Sequence, residues 1–402
     1  MSRPHAVKGF PVALGLTAAL VVLWGMGHRL NDALTPSFAA TFPLSDFEWA
    51  LTHSIYNVIY IFGAIPAALY ALRLGYKATI LLGLGCICVG AFTLYPAAET
   101  HAVGYFFLAV AIMGAGWIAL EVAVNPLAAS LGSPKNFVQR LNFAQAFYPI
   151  GAIAGLLAGR WLIGNNLAQP GAAAAHAITH PYIVFGAAVM LIAFVVEEIR
   201  FPAVASARVR SKISLNLSAI IRRPLFGLGM FAQFCGVVVL NESGHAGRAI
   251  LAEAPILSSL ITDWPLWSTG LFLVGRVVGT ALMSWIRPAQ VLVLFAAAGA
   301  AAALLAIAAT GPLAMIGVIG TRIFTAVIWP TILGLAICDT GEDMKPATAV
   351  MCVAAAAGGV AFEITIIPLH LATNPHHAML LVLVGFCTVL AFARAHQRRE
   401  SV

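Results

Sequence analysis

Charged side chains are what this sequence has least of: aspartate, glutamate, lysine and arginine make up 9% of its 402 residues. A soluble domain carries roughly a quarter. A chain that is 61% hydrophobic, with a mean hydropathy of +0.94, cannot keep its surface in water, so it is read as an integral membrane protein. Short dyad-alternating segments, the mark of a membrane β-barrel, are missing. Cysteine is also scarce. The six (Cys86, Cys88, Cys235, Cys338, Cys352, Cys387) lie in apolar stretches without ligand spacing, and are expected as buried small hydrophobes. No nucleophile–base pair or metal-ligand spacing is found, and His376 and His377 fall in an expected external turn. The chain is therefore read as no enzyme, with no metal and no cofactor.

What the sequence has in abundance is hydrophobic runs. About 20 mostly apolar residues cross a bilayer as a helix. Between polar breaks lie twelve such runs: 12–41, 46–72, 77–97, 102–131, 139–164, 181–199, 224–252, 266–286, 289–309, 312–338, 346–371 and 376–394. The first exceeds a signal-peptide core and lacks a small-residue cleavage site, so it is read as a retained helix. Lysine and arginine then set the orientation. Alternate loops hold Arg73 and Lys77, Lys135 and Arg140, the 200–223 segment, Arg287, Lys345 and the tail arginines. The opposite loops (43–45, 98–101, 165–180, 253–265, 310–311, 372–375) hold no lysine or arginine. Both termini are expected in the cytoplasm of a bacterial-type inner membrane. The formal charge of +7 is thus an orientation signal. A nucleic-acid patch would need basic residues interleaved with aromatics on a polar surface, and none is present.

The least apolar interior stretch, RFPAVASARVRSKISLNLSAIIRRP, falls at the midpoint. It divides the chain into an N-terminal six-helix half (1–199), a basic cytoplasmic linker (200–223) and a C-terminal six-helix half (224–402). Six-plus-six about such a linker resembles the major facilitator superfamily, whose halves are related by an axis along the membrane normal. Pro126 in NPLAASLG and Pro330 in WPTILGLA echo each other in the fourth span of each half. The turn LRLGYKA (72–78) resembles the basic, glycine-containing turn of that superfamily. Arg73 and Lys77 are read either as charges that pair differently in two states or as orientation anchors.

Polar groups inside the spans are the candidates for function, because an ionised side chain in hydrocarbon costs several kcal/mol. LWGMGHRLNDALTPSF (23–38) puts Asp32 at mid-span, with Arg29 three residues earlier on the same face and Asn31 a quarter-turn away. GAGWIALEVAVNPLAASLG stacks Glu121 over Asn125, where Pro126 can bend the helix. RLNFAQAFYPIGA sets Asn142 and Gln145 on one face with Tyr148 a turn further. Amides and a phenol give directional donors and acceptors without charge, which suits a neutral polyhydroxylated ligand. They also serve as interhelical glue. Aromatic walls from Trp24, Trp117, Tyr148 and Trp329 suit the C–H face of a sugar ring.

These segments, with WPTILGLAI in the tenth span, resemble the fucose–proton symporter family of sugar transporters, over most of the N-terminal half and part of the C-terminal half. The resemblance implies a twelve-helix, all-α major facilitator fold importing a monosaccharide with protons by alternating access. It implies proton-linked roles for Asp32 and Glu121, and sugar binding by Asn142 and Gln145. Desolvation disfavours the charged form of a carboxyl, so such a group takes a proton outside and releases it when the site opens inward. Sugar and proton then favour each other's binding by linkage.

The chain departs from the family in three places. Arg29 stands where the family has an uncharged residue, and a fixed cation there favours ionised Asp32 and works against proton uptake. Three readings are open for it: an ion pair with Asp32 or Glu121, a clamp for an anionic sugar derivative or small carboxylate, or snorkelling with no further role. The seventh span carries Glu242, His245 and Arg248, and the eleventh carries Glu363 where the family tends to have proline. Glu242 and Glu363 are expected to pair with Arg276 or Arg322, both mid-membrane. A drug or metabolite exporter is a further alternative, which the polar cluster disfavours. The expected partners are a sugar, protons and the lipid bilayer. No segment signals oligomerisation, so a monomer is expected.

Overall fold

A computed structural model describes residues 10–41, 45–100, 102–163, 172–199, 201, 217–253, 263–363 and 374–400, with the backbone but not the side chains at 10–11, 32–41, 46–54, 162–163, 172–178, 342 and 400. Eleven helical segments among these residues are long and apolar enough to cross a membrane. One of them lies in the run Asp46–Thr100, which breaks at Gly75 (φ 88°, ψ 171°), a backbone region open mainly to glycine. Twelve spans result, and no strand is found among the described residues.

The spans are α1 (Phe10–Thr41), α2 (46–74), α3 (76–100), α4 (Val103–Ser130), α5 (Phe137–Gln145 and Phe147–Ile163) and α6 (Ala172–Glu198). There follow α7 (Pro224–Ala252), α8 (Trp264–Leu282), α9 (Pro288–Ala308), α10 (Gly311–Thr325 and Ile328–Ile337), α11 (Met344–Ala361) and α12 (Pro375–Glu400). The far end of the expected eleventh span, 364–371, and most of the basic linker lie outside the described residues.

Two spans are interrupted, each ahead of a proline. Proline has no N–H to donate, and its ring clashes with the carbonyl four residues earlier. Pro149 would clash at Gln145, and α5 breaks at Ala146. Pro330 would clash at Ala326, and α10 breaks over Ala326 and Val327. Both breaks lie beside residues singled out above, Gln145 and Trp329.

The chain divides into two compact units, Met1–Arg140 with Ile150–Ser214, and Leu141–Pro149 with Leu215–Val402. In the first, α5 lies against α1 through Gly151 and Gly155. A Cβ at Gly151 would stand 1.9 Å from the Val22 carbonyl oxygen, and one at Gly155 2.3 Å from that of Met26. Small residues one turn apart let membrane helices approach backbone to backbone, where dispersion rather than water expulsion holds them. In the second unit Gly275 does the same for α8 on α10, with the Ile323 carbonyl oxygen 2.0 Å from where a Cβ would be.

Charges cluster at the helix ends. In the first unit the Lys77 amine reaches the backbone carbonyl of Glu197 and lies 3.6 Å from its carboxylate, tying the 72–78 turn to the end of α6. Arg140 closes the end of α4 through the carbonyls of Ala129 and Ser133. In the second unit Arg223 pairs with Asp343 at 3.7 Å and Arg399 with Asp339 at 3.2 Å.

The cysteines depart from expectation. All six are free, yet only Cys352 is buried, and Cys387 is exposed. Hydropathy does not separate inside from outside here, because the outward face of a spanning helix is apolar too: Phe62, Trp161 and Trp285 are all more than 70% exposed.

Candidate functional site

In the first unit, Asp32 belongs to the helical backbone of α1, and its side chain lies outside the described residues. Glu121 and Asn125 are both buried on α4, 4% and 1% exposed. They stand one turn apart, with Pro126 inside the same helix. A buried carboxylate and amide in the second half of this span hold polar atoms where lipid offers no hydrogen bond, so this pair is what the helix must accommodate. Arg29 is half-buried. Asn31 accepts a 2.9 Å hydrogen bond from Tyr182 of α6, which gives its amide an interhelical role beside the ligand role expected for it.

The same unit holds an aromatic cluster built on Trp24 and Trp117, in which sequence reasoning missed His28, Tyr56 and Tyr60. Trp24 Nε1 donates to His28 Nε2 at 2.9 Å. Tyr56 Oη lies 2.5 Å from the same nitrogen and 2.5 Å from Tyr60 Oη. An indole N–H can only donate, so Nε2 accepts and the imidazole is neutral, with its proton on Nδ1. Trp117, 2% exposed, stands edge-on to the imidazole at 5.6 Å. Its ring occupies the space where a Cβ of residue 27 would be. Both tryptophans thus stand edge to face with the imidazole, Trp24 at 5.7 Å and Trp117 at 5.6 Å. The i, i+4 spacing of Trp24 and His28 was the available signal; the tyrosines come from another helix.

In the second unit, Asn142 and Gln145 are buried and Tyr148 is half-buried. Asn142 meets Thr331 on α10: its Nδ2 donates to Oγ1 at 3.1 Å, and Oγ1 lies 3.3 Å from its Oδ1. Thr331 follows the Trp329–Pro330 pair directly, and Trp329 is half-buried. Glu242 is wholly buried on α7, and Glu363 is half-buried just beyond α11. His245 and Arg248 are exposed.

The two mid-membrane arginines differ. Arg322 Nη1 donates to the Leu240 carbonyl at 2.8 Å and to Ser243 Oγ at 2.9 Å, joining α10 to α7. The side chain of Arg276 makes no ion pair and no hydrogen bond with any described residue, so of the two arginines expected as partners for Glu242 and Glu363 this one is not paired with either. Those two carboxylates belong to other helices, and a spacing along one chain cannot say which neighbour a side chain meets. Gln233 on α7 was also missed: it is 1% exposed, and neither end of its amide has a hydrogen-bond partner among the described residues.

No protein-family model matches the chain. It is 28% identical over 409 residues to the L-fucose-proton symporter of Escherichia coli (strain K12), covering 96% of this chain and 93% of that one. It is 26% identical over 361 residues to a glucose/galactose transporter of Brucella abortus biovar 1 (strain 9-941), covering 88% and 86%. Among solved structures it resembles the major facilitator superfamily transporter FucP, crystallised in the outward conformation, with a TM-score of 0.88 at 27% identity over 97% of this chain and 99% of that one. Twelve apolar helices, the polar residues held within them and these near full-length similarities agree: the chain is a multi-pass membrane protein with the major facilitator fold, similar over nearly its whole length to L-fucose-proton symporters.

Proposed function

We propose that this chain imports a monosaccharide together with protons across a bacterial inner membrane, cycling by alternating access. The observation that carries this reading is the buried Glu121–Asn125 pair on α4, in a chain that aligns almost end to end with proton symporters of L-fucose. Other relatives of similar identity carry glucose or galactose. A carboxylate at that depth is costly when charged. Protonation removes the cost, so the protonated carrier rearranges more readily than the ionised one. Asp32 shares this role, and Arg29 sets its balance by favouring the charged form.

Asn142 and Gln145 read sugar hydroxyls, presented by the end of the first α5 segment just before the break at Ala146. Irregular backbone at membrane depth is tolerated only where protein or water surrounds it. Tyr148 and Trp329, in the same unit, are proposed to join Asn142 and Gln145 in binding sugar, and within the first unit the same role is proposed for Asn31, Asn125 and Trp117. The chain works as a monomeric transporter rather than an enzyme, both termini in the cytoplasm, with halves 1–199 and 224–402 joined by the basic linker 200–223.

The test is uptake into proteoliposomes of a panel of labelled neutral and acidic monosaccharides, with and without an imposed inward proton gradient. Accumulation of at least one sugar above equilibrium, abolished by a protonophore, is the expected result. Equilibration without accumulation would leave a facilitator and refute proton coupling.

A further inference from the structure

Arg276 carries a positive charge that no described residue answers. It lies well inside α8 and is 3% exposed. Neither its Nε nor its Nη1 meets an acceptor among the described residues, and it forms no ion pair with them. Its guanidinium instead lies over the ring of Phe272, one turn earlier, at 5.0 Å. The Arg322 guanidinium stands 5.9 Å from the same ring, held by Leu240 and Ser243. Tyr148 of α5 is within electrostatic range of Arg276. Two cations thus share one aromatic ring inside the second unit.

Removing a charge from water costs several kcal/mol even after the protein relaxes. A cation–π contact returns about 0.5–2 kcal/mol, and a second cation beside the same ring adds repulsion. Packing does not require this residue, since an apolar side chain of similar length would fill the space without the penalty. An arginine held this way is poised for an anion that arrives and leaves.

We propose that Arg276, flanked by Phe272, Arg322 and Tyr148, is a carboxylate subsite, and that the transported monosaccharide is an acidic one, a uronate or an aldonate. The proposal rests on the reading of the chain as a proton-coupled sugar importer and names its substrate class. The hydroxyl-reading amides and the subsite belong to one unit. Asn142, Gln145 and Tyr148 follow one another along α5, all in the same unit as Arg276, and Tyr148 bridges the two functions. One uncommitted guanidinium matches one negative charge. A sugar phosphate, with up to two charges, would ask for more donors than Arg276 alone offers, because Arg322 Nη1 is already engaged.

The experiment compares uptake of D-galacturonate, D-gluconate, D-galactose, L-fucose and D-galactose 6-phosphate into proteoliposomes under an inward proton gradient, for the wild type, Arg276→Gln and Arg276→Lys. The wild type is expected to accumulate a sugar acid in preference to both neutral sugars and the phosphate. In Arg276→Gln the ratio of acid to neutral uptake should fall about tenfold or more, as a charge-assisted pair is lost. Arg276→Lys, which keeps charge without the planar donor set, should fall between. The wild-type preference stands by itself if a variant does not fold. Transport of neutral sugars without acids, an unchanged ratio in a folded Arg276→Gln carrier, or preference for the phosphate would each overturn the carboxylate subsite and leave sugar symport intact. No accumulation of any sugar would overturn both.

Discussion

Thr331→Val removes one hydroxyl and keeps the branched shape of the side chain, so its effect isolates a single interaction. Asn142 and Thr331 are both wholly buried, and the hydroxyl faces both ends of the amide, at 3.1 and 3.3 Å. A neutral hydrogen bond contributes about 0.5–1.5 kcal/mol net, whereas stranding a buried polar group costs about 1–3 kcal/mol. Valine does the second, so a destabilisation of about 1–2 kcal/mol is expected in thermal unfolding of the purified carrier. The same bond fixes which way the Asn142 amide points. If that amide reads a sugar hydroxyl, losing its anchor makes ligand binding carry the cost of orienting it. At about 1.4 kcal/mol per tenfold, Kd should rise roughly fivefold to tenfold in calorimetric titration with the transported sugar. A double-mutant cycle with Asn142→Ala should give a coupling of about 1 kcal/mol, since the two residues touch. Thr331→Val with unchanged melting and unchanged Kd would refute both the strength of this bond and the placement of Asn142 in the binding set.

Other perturbations separate coupling from packing. Asp32→Asn should abolish proton-driven accumulation while sparing sugar exchange across proteoliposomes; undiminished accumulation would remove Asp32 from the mechanism. Gly275→Leu cannot be accommodated, because even a Cβ would lie 2.0 Å from the Ile323 carbonyl oxygen. Overpacking costs about 1–3 kcal/mol or more, so this variant should lose its monodisperse elution on gel filtration. His28→Leu withdraws the acceptor that Trp24 and Tyr56 share, for an expected cost of about 1–3 kcal/mol and a changed tryptophan emission spectrum. Unaltered melting and emission would show that the cluster contributes nothing.

The sequence by itself determined the class of the protein and the number of its spans, because both follow from quantities local to the chain. A run of about 20 apolar residues must form a helix in lipid, since only internal hydrogen bonds are available there. Even the interruptions of α5 and α10 were written locally, in Pro149 and Pro330. The same local periodicity placed Glu121 over Asn125 and Asn142 beside Gln145, because neighbours three and four apart share a helix face.

Tertiary structure alone decided which helix each polar face meets. Thr331 meets Asn142 across 189 residues of sequence and Tyr182 meets Asn31 across 151, and no spacing rule reaches that far. It decided that Arg322 is tied to α7 while Arg276 is left with a phenylalanine ring. It also decided that Cys387 turns outward. In a bilayer the hydrophobic pattern does not mark the buried face, because lipid and protein interior are equally apolar. Partners are then chosen by close packing and hydrogen-bond geometry, which exist only once the helices stand side by side.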